Sequence, residues 1–184
     1  LAPVQALVMI VKDGEGVHEA AHRLVDELRH TGIRAKLDDR VDVAFGRRAV
    51  DAELKGVPLR LEIGPRELAE GKVTLVRRIM GGKDVVALDQ AAALSAEALL
   101  VDHQALFDEA EVRLDLRTED VESIDDAIAA AQKGLARIPW AKLGVEGERH
   151  LAASSITVRC LVRDDETIPV SDDDPESYAV VGRA

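Results

Sequence analysis

The segment "ELKGVPLRLEIGPREL", residues 53–68, gives the clearest structural signal in the chain. From Pro58 to Ile63 its residues alternate between apolar and charged, a pattern typical of a β-strand with one buried face. Arg60 and Glu62 fall on the face opposite the apolar residues, and more charges stand just before and just after the strand. The segment therefore predicts an outward-facing strand surface on which several charges meet.

The sequence around this strand predicts an α/β domain built on a mixed five-stranded sheet flanked by helices. Apolar or alternating runs indicate strands, and amphipathic runs that end at a glycine indicate helices. A short turn between strands 58–63 and 72–78 makes the sheet mixed rather than all parallel. The predicted strands are 6–12, 34–40, 58–63, 72–78 and 83–88, and the predicted helices are 16–32 and 46–56.

The composition changes after Gln90, which divides the chain into two predicted domains, 1–100 and 101–184. The second is expected to be a helical linker followed by a small α+β domain. Its Cys160 shares the two-residue spacing of the apolar strand residues before it, so we expect this cysteine in the core. The predicted helices are 91–114, 123–134 and 146–153, and the predicted strands are 155–162 and 178–182.

Composition indicates a soluble globular protein. The chain has 184 residues, of which 47% are hydrophobic and 32% are charged, and no apolar run reaches membrane-spanning length. No secretory segment opens the sequence, and a single cysteine fits a reducing compartment, so we expect a cytoplasmic protein. Because the first residue is Leu1 rather than methionine, we interpret the chain as a fragment or a processed protein.

The charge is unevenly distributed along the chain. The net charge is -11, which argues against nucleic-acid binding, but residues 34–83 hold 12 Lys/Arg against 8 Asp/Glu. The remainder holds 12 against 27. Because salt screens distant charges, such a basic segment can bind phosphate locally inside an acidic protein. Chance remains the alternative explanation for this asymmetry.

No catalytic site emerges from the motifs. "HEAAH", residues 18–22, matches the HExxH pattern of zinc peptidases and places both histidines on one helix face. A third ligand is not marked nearby, so a solvated helix face is the favoured interpretation and a metallopeptidase a remote one. The chain contains neither a GxxxxGK[ST] phosphate loop nor a GxGxxG motif after a strand. We therefore predict no catalytic residues in this chain.

Taken with "KLDDR" (36–40) and "KVTLVRR" (72–78), residues 53–68 resemble the anticodon-binding domain of prolyl-tRNA synthetases. The resemblance continues through "PW" (139–140) and "SITVRCLV" (155–162), which look like the C-terminal extension of the archaeal and eukaryotic-like branch. It implies the class II synthetase anticodon-binding fold for the first domain. It also implies that the chain recognises proline tRNA.

The resemblance further implies which residues contact the anticodon. In this family, charged side chains in and around the "ELKGVPLR" and "GPRE" motifs touch the anticodon guanines. Arginine can donate to guanine O6 and N7, and a carboxylate can accept from guanine N1 and N2. The family's aromatic residues before this segment are reduced to Phe45, so Arg47 or Arg48 is expected to contact phosphate instead. The predicted anticodon-binding residues are Glu53, Arg60, Arg66, Glu67 and Lys83.

The resemblance also implies cofactors and partners. The family's full-length enzymes ligate proline to its tRNA with ATP and magnesium, using a catalytic domain that this chain lacks, and they are expected to be homodimers. Many of their extensions hold zinc with four cysteines, but the matching regions 140–150 and 168–177 contain none, so we predict no metal and no cofactor here. Neither membrane nor DNA is an expected partner. The alternative is a free-standing RNA-binding paralogue of the domain.

Overall fold

The chain folds as two units, Leu1–Leu106 and Phe107–Ala184, and the division falls within a long helix. The computed structural model describes residues 2–79, 81–165, 167–171 and 174–184. Within these residues, no helix is long and apolar enough to cross a membrane.

The first unit is a mixed five-stranded sheet, as the sequence predicts. Its strand order is β2-β1-β3-β4-β5; β1 pairs in parallel with β2 and β3, and the two later pairings are antiparallel. A short 3-10 turn joins the last strand to the long helix α4. The elements are β1 (Ala6–Ile10), α1 (Val17–His30), β2 (Ala35–Asp38), α2 (Phe45–Leu54), β3 (Leu59–Ile63), α3 (Pro65–Ala69), β4 (Lys72–Arg77), β5 (Lys83–Ala87) and α4 (Ala91–Asp115).

Helices α1 and α4 cover one face of this sheet and form its core. The apolar stripe predicted for α1 is buried in full, and the alanines that begin α4 join the same cluster. From β3, Leu59, Leu61 and Ile63 face this core and are fully buried. Because side chains alternate along a strand, Arg60 and Glu62 must face the other side of the sheet.

Arg48 ties α2 to the carboxyl ends of the first two strands. Its Nη2 donates to the carbonyl of Ile10 at 2.8 Å, its Nε to the carbonyl of Val43 at 3.1 Å, and its Nη1 to Asp38 Oδ1 at 3.3 Å. The side chain is only 1% exposed. The expectation that Arg48 contacts phosphate is therefore wrong, because its guanidinium is buried and hydrogen-bonded to groups of the protein itself.

Acid should weaken this attachment by protonating Asp38. Burial alone would raise the pKa of Asp38, but hydrogen bonds from Arg40 and the charges of Arg40 and Arg48 outweigh it and hold that pKa below its usual value. A depressed folded-state pKa stabilises the fold above the unfolded-state pKa, and the contribution is lost as the pH falls. We expect stability to drop progressively as the pH falls below about 5 and through the depressed pKa of Asp38.

Thermal unfolding followed by circular dichroism across this pH range tests the prediction by comparing wild type with Asp38→Asn, whose side chain cannot titrate. The variant should be less stable at neutral pH and should lose less stability on acidification. Equal losses in the two proteins would show that Asp38 does not contribute to the acid response.

The second unit is built on a four-stranded sheet in the order β6-β7-β9-β8, covered by two helices. Its first two strands are absent from the sequence prediction, because they are short and one of them is entirely polar. Ser123 caps the first of the two covering helices: the backbone N–H of Asp126 donates to Ser123 Oγ at 3.2 Å. The elements are β6 (Thr118–Asp120), α5 (Ile124–Ala131), β7 (Leu135–Pro139), α6 (Trp140–Ala153, interrupted at Gly144), β8 (Ile156–Val162) and β9 (Tyr178–Arg183).

Cys160 is exposed, so its predicted place in the core is wrong. A bulge in β8 causes the difference: Val158 pairs with Val181, but Cys160 pairs with the adjacent Val180. An extra residue in one strand reverses which side chains face inward. Beyond the bulge, Leu161 rather than Cys160 packs on the core.

Gly134 is expected to be intolerant of any side chain. A Cβ added there would lie 2.2 Å from the carbonyl oxygen of Arg117, which also accepts a hydrogen bond from the backbone N–H of Leu135. Gly134→Ala should therefore push β6 and β7 apart and destabilise the second unit by about 1–3 kcal/mol. Urea unfolding followed by the fluorescence of Trp140, the single tryptophan, reports on this unit.

Gly46→Ala controls for a glycine-to-alanine change as such, and its unfolding is followed by circular dichroism, because Gly46 lies in the first unit. Gly46 lies in α2, and a Cβ there would meet nothing within 4 Å. An alanine in a helix is about 1 kcal/mol more favourable than a glycine, so this change should be neutral or stabilising. A Gly134→Ala protein as stable as wild type would refute the predicted clash.

Candidate nucleic-acid interface

Four charged side chains meet on the sheet face opposite the core, and we call them the charge cluster: Glu53, Arg60, Glu62 and Lys83. Glu53 lies in the last turn of α2, and Lys83 is the first residue of β5. Arg60 pairs with Val76 across β3 and β4, and Val76 pairs with Lys83 across β4 and β5. Residues directly opposite in a sheet face the same side, so this register brings Lys83 to the face that carries Arg60.

Ion pairs connect all four members of the charge cluster. Arg60 Nε donates to Glu62 Oε1 at 2.8 Å, and Arg60 Nη1 lies 3.4 Å from Glu53 Oε1. Lys83 Nζ lies 3.6 Å from Glu62 Oε2. The cluster thus contains two cations and two carboxylates in alternation, and its centre is the pair formed by Arg60 and Glu62.

Arg60 is buried rather than outward-facing, which corrects the expectation from strand alternation. The residue is 7% exposed, because α2 lies over it and the carbonyl of Ala49 accepts from its Nη1. Its Nε is taken by Glu62, so the guanidinium cannot present Nε and Nη2 together to a base. Within the described residues Nη2 has no partner and is not enclosed, so this atom is the one left for a ligand.

Glu53 and Lys83 supply the accessible polar atoms of the cluster. Their side chains are 59% and 61% exposed, in contrast to the buried pair between them. A carboxylate accepts from the N1 and N2 groups of guanine, and an ammonium donates to its O6 and N7. The exposed rim of the charge cluster therefore carries both kinds of group needed to bind a guanine edge.

Arg66 and Glu67 lie on α3, which follows the end of β3. The Arg66 side chain is 87% exposed and lies 3.7 Å from Glu70. Glu67 is half-buried next to Gly64, where an added Cβ would stand 3.0 Å from its Oε2. Among the described residues, no ion pair or hydrogen bond joins either side chain to the charge cluster.

The two arginines at the start of α2 differ in exposure. Arg47 is exposed, whereas Arg48 is buried with its guanidinium 5.8 Å from the ring centre of Phe45. Phe45, the aromatic residue of this segment, therefore stacks on a protein cation. Of this pair, only Arg47 is free to meet a phosphate.

The "HEAAH" helix face shows an ordinary surface contact. His18 Nε2 lies 3.2 Å from Asp13 Oδ1, and both side chains are substantially exposed. The described part of the chain contains no group of three histidine, cysteine or acidic side chains that could hold a metal ion. That the protein needs no zinc stays a prediction.

Glu62 is the member of the cluster to which the sequence analysis assigned no role. Its signal was present, because Glu62 is two residues after Arg60 and such residues share one face of a strand. What the sequence could not give is the partner of each carboxylate oxygen. That follows from the antiparallel pairing of β3, β4 and β5, which brings Lys83 alongside.

Comparison with protein families identifies the fold that carries this cluster. A family described as the anticodon binding domain matches residues 5–98, which include the whole charge cluster. The chain belongs to the anticodon-binding domain family. The resemblance inferred from residues 53–68 is thereby confirmed.

Relatives of this anticodon-binding domain are proline–tRNA ligases. Proline–tRNA ligase 2 of Streptomyces avermitilis is 50% identical over 185 residues, which cover all of this chain and 39% of that protein. The proline–tRNA ligase of Frankia alni is 48% identical over 177 residues, or 96% of this chain and 38% of that protein. The chain thus spans less than half the length of these relatives.

A solved structure supports the same fold for both units. The crystal structure of a prolyl-tRNA synthetase from Cryptosporidium parvum matches 99% of this chain and 40% of its own, with a TM-score of 0.80. At 22% identity this likeness bears on the fold alone. The α/β class predicted from the sequence is confirmed.

Proposed function

We propose that this chain recognises the anticodon of proline tRNA as part of a proline–tRNA ligase. The observation that carries the proposal is the charge cluster, which joins exposed Glu53 and Lys83 through a buried pair within an anticodon-binding domain. Proline codons begin with two cytosines, so proline anticodons contain two guanines. Unstacked anticodon bases offer their edges to side chains, and this cluster has the matching donors and acceptors.

The residue roles follow from exposure. Glu53 accepts from the N1 and N2 groups of a guanine, Lys83 donates to the O6 and N7 edge, and Arg60 contributes its remaining Nη2. Arg66 and Glu67 form a second contact from α3, on the evidence of the family resemblance and the exposure of Arg66. These assignments are proposals for binding only, and no side chain here is assigned to chemistry.

The rest of the reaction belongs to the longer protein that we propose for this chain. A catalytic domain would bind ATP, magnesium and proline and would transfer the prolyl group to tRNA in the cytoplasm, as a homodimer. Residues 1–100 would form the anticodon-binding domain and residues 101–184 the extension. The identity of 50% and 48% with two proline–tRNA ligases, over 100% and 96% of this chain, supports this assignment over a free-standing RNA-binding paralogue.

Direct titration tests the proposal. The 184-residue chain, labelled with a fluorophore, is titrated with a proline tRNA transcript and with the same transcript carrying adenines in place of both anticodon guanines. Each correct base contact is worth about 1–3 kcal/mol, so we expect at least a tenfold preference for the unaltered tRNA. Equal affinity for the two transcripts would contradict the proposal.

Arg47→Ala should weaken binding without changing this preference. Arg47 is exposed at the start of α2 and is proposed to contact phosphate, which carries no base information. The affinity should fall for both transcripts alike, and the slope of log K against log salt should decrease by roughly one contact's share, about 0.7 for single-stranded RNA. An altered preference, or an unchanged slope, would assign Arg47 another role.

A further inference from the structure

Glu62 has an unusual position for a carboxylate, because it is buried and yet shared between two cations. Its side chain is 10% exposed, with Oε1 accepting from Arg60 Nε at 2.8 Å and Oε2 lying 3.6 Å from Lys83 Nζ. Both oxygens are therefore directed at protein groups. Because its side chain is also largely buried, Glu62 presents little surface to a nucleotide, so we infer that its part in recognition is indirect.

Neutralising the buried Arg60 does not by itself explain this arrangement. Arg60 also lies 3.4 Å from Glu53 and donates to the carbonyl of Ala49, so it would retain an anionic and a neutral acceptor without Glu62. Lys83 needs no such compensation, since its side chain is 61% exposed and can be solvated. The contact that a purely structural role leaves unexplained is the one between Glu62 and Lys83.

The consequence of that contact is orientation. A lysine ammonium stands on a flexible four-carbon stem, and an exposed one loses considerable rotamer entropy when it is held for a ligand. The fixed Glu62 carboxylate holds the Lys83 ammonium within the charge cluster before any RNA binds. This ordering in advance lowers the entropic cost of binding. Glu62 is itself fixed, because burial and the 2.8 Å bond to Arg60 determine its rotamer.

We propose that Glu62 is a positioning residue that orients Lys83, and with it Arg60, toward the anticodon guanines without touching them. The proposal rests on the proposed function and adds a specificity role for a buried residue. It predicts that the effect of Glu62 on base preference passes through Lys83. If Glu62 had a structural role alone, its substitution would lower the stability of the domain and reduce the affinity for both transcripts equally.

The substitution Glu62→Gln separates these roles. The glutamine is isosteric, and its carbonyl oxygen can still accept from Arg60 Nε, so the amide must turn its NH₂ group toward Lys83. A donor facing an ammonium no longer attracts it. The variant thus keeps the contact to Arg60 and removes the one to Lys83.

The experiment is a double-mutant cycle on the 184-residue chain with Glu62→Gln, Lys83→Met and the double variant, titrated with the unaltered and the guanine-replaced proline tRNA. We expect Glu62→Gln to lower the preference for the unaltered transcript several-fold, up to about tenfold. In the Lys83→Met background the same change should have no further effect on the preference.

Two results would overturn the proposal: an unchanged preference in Glu62→Gln, or an equal loss of preference with and without Lys83. Glu109→Gln is the matched control, because Glu109 pairs with Arg113 in an exposed contact on α4, outside the charge cluster. It should leave the preference intact.

Lys83→Met alone keeps the test decisive if Glu62→Gln fails to fold, since Lys83 is exposed at a strand end and its loss should not unfold the domain. Full preference in that variant would also refute the proposal. Failure of the proposed function looks different, because wild type itself would then bind both transcripts equally.

Discussion

Replacing Arg48 with alanine is expected to lower the free energy of unfolding of the first unit by about 3–5 kcal/mol, the cost of breaking a buried ion pair. Its guanidinium holds the carbonyls at the ends of β1 and the α2 entry, and it neutralises Asp38, which is 6% exposed. Without Arg48, the charge of Asp38 is balanced by the exposed Arg40 alone, and the backbone carbonyls of Ile10, Asp38 and Val43 each lose a donor.

Urea unfolding followed by far-ultraviolet circular dichroism measures this loss. Arg47→Ala is the matched control, because the neighbouring arginine on the same helix is exposed; a surface change of this kind should stay within about 0.5 kcal/mol of wild type. If the two variants were equally stable, Arg48 would not be the tether between α2 and the sheet.

Arg60→Ala is expected to lower both the stability and the base preference of the domain. Removing Arg60 leaves Glu62 buried with Lys83 as its remaining cation, and it frees Glu53 from its partner. The lost base contact and the displaced carboxylates should reduce the preference for unaltered proline tRNA by about 1–3 kcal/mol, which is roughly five- to 150-fold. The measurement compares both transcripts at a temperature where the variant is fully folded.

Arg77→Ala controls for the loss of an arginine that is held by an ion pair and only partly exposed. Arg77 lies on the opposite face of the same sheet, paired with Asp102, and its side chain is 19% exposed. Its removal should destabilise the domain and leave the base preference unchanged. If Arg60→Ala kept the preference as Arg77→Ala does, Arg60 would have no part in recognition.

The order and type of most elements in the first unit follow from local sequence; the exception is the connection between β3 and β4, predicted as a turn, which contains the short helix α3. Strict alternation in β3 and the apolar stripe of α1 depend on periodicities of two and 3.6 residues, and both signals are strong here. The glycines at 32 and 56, which end the two helices, have positive φ as a C-terminal cap requires. These features are encoded within short windows, so they were predictable.

The burial of Arg48 and of Arg60 could not be predicted from the sequence in the same way. Arg48 and Ala52, four residues apart, form the buried stripe of α2, but a charged residue in such a stripe is read as exposed unless its partners are known. For Arg60, alternation places the side chain on the second face correctly but cannot show that α2 covers that face. Tertiary packing decides exposure in both cases.

The structure of the second unit was harder to predict from the sequence for the same physical reason. Strand β6 is three residues long and polar. It forms a strand because it pairs directly with β7, which follows it in the chain after helix α5. The bulge before Cys160 shifts the inward face of β8 within a run that still alternates in sequence. Neither feature leaves a periodic signal, so only the pairing of distant segments reveals them.

Photo-crosslinking from the anticodon tests the central claim most directly. Proline tRNA carrying 6-thioguanosine at one anticodon guanine is bound to the 184-residue chain and irradiated, and the attached peptide is identified by mass spectrometry. A thio-substituted base reacts only with groups in contact with it. We expect crosslinks to the segments that carry the charge cluster, 53–62 and 83–87, or to α3, which carries Arg66 and Glu67. Crosslinks confined to residues 107–184, or to the core-facing helix α1, would contradict it.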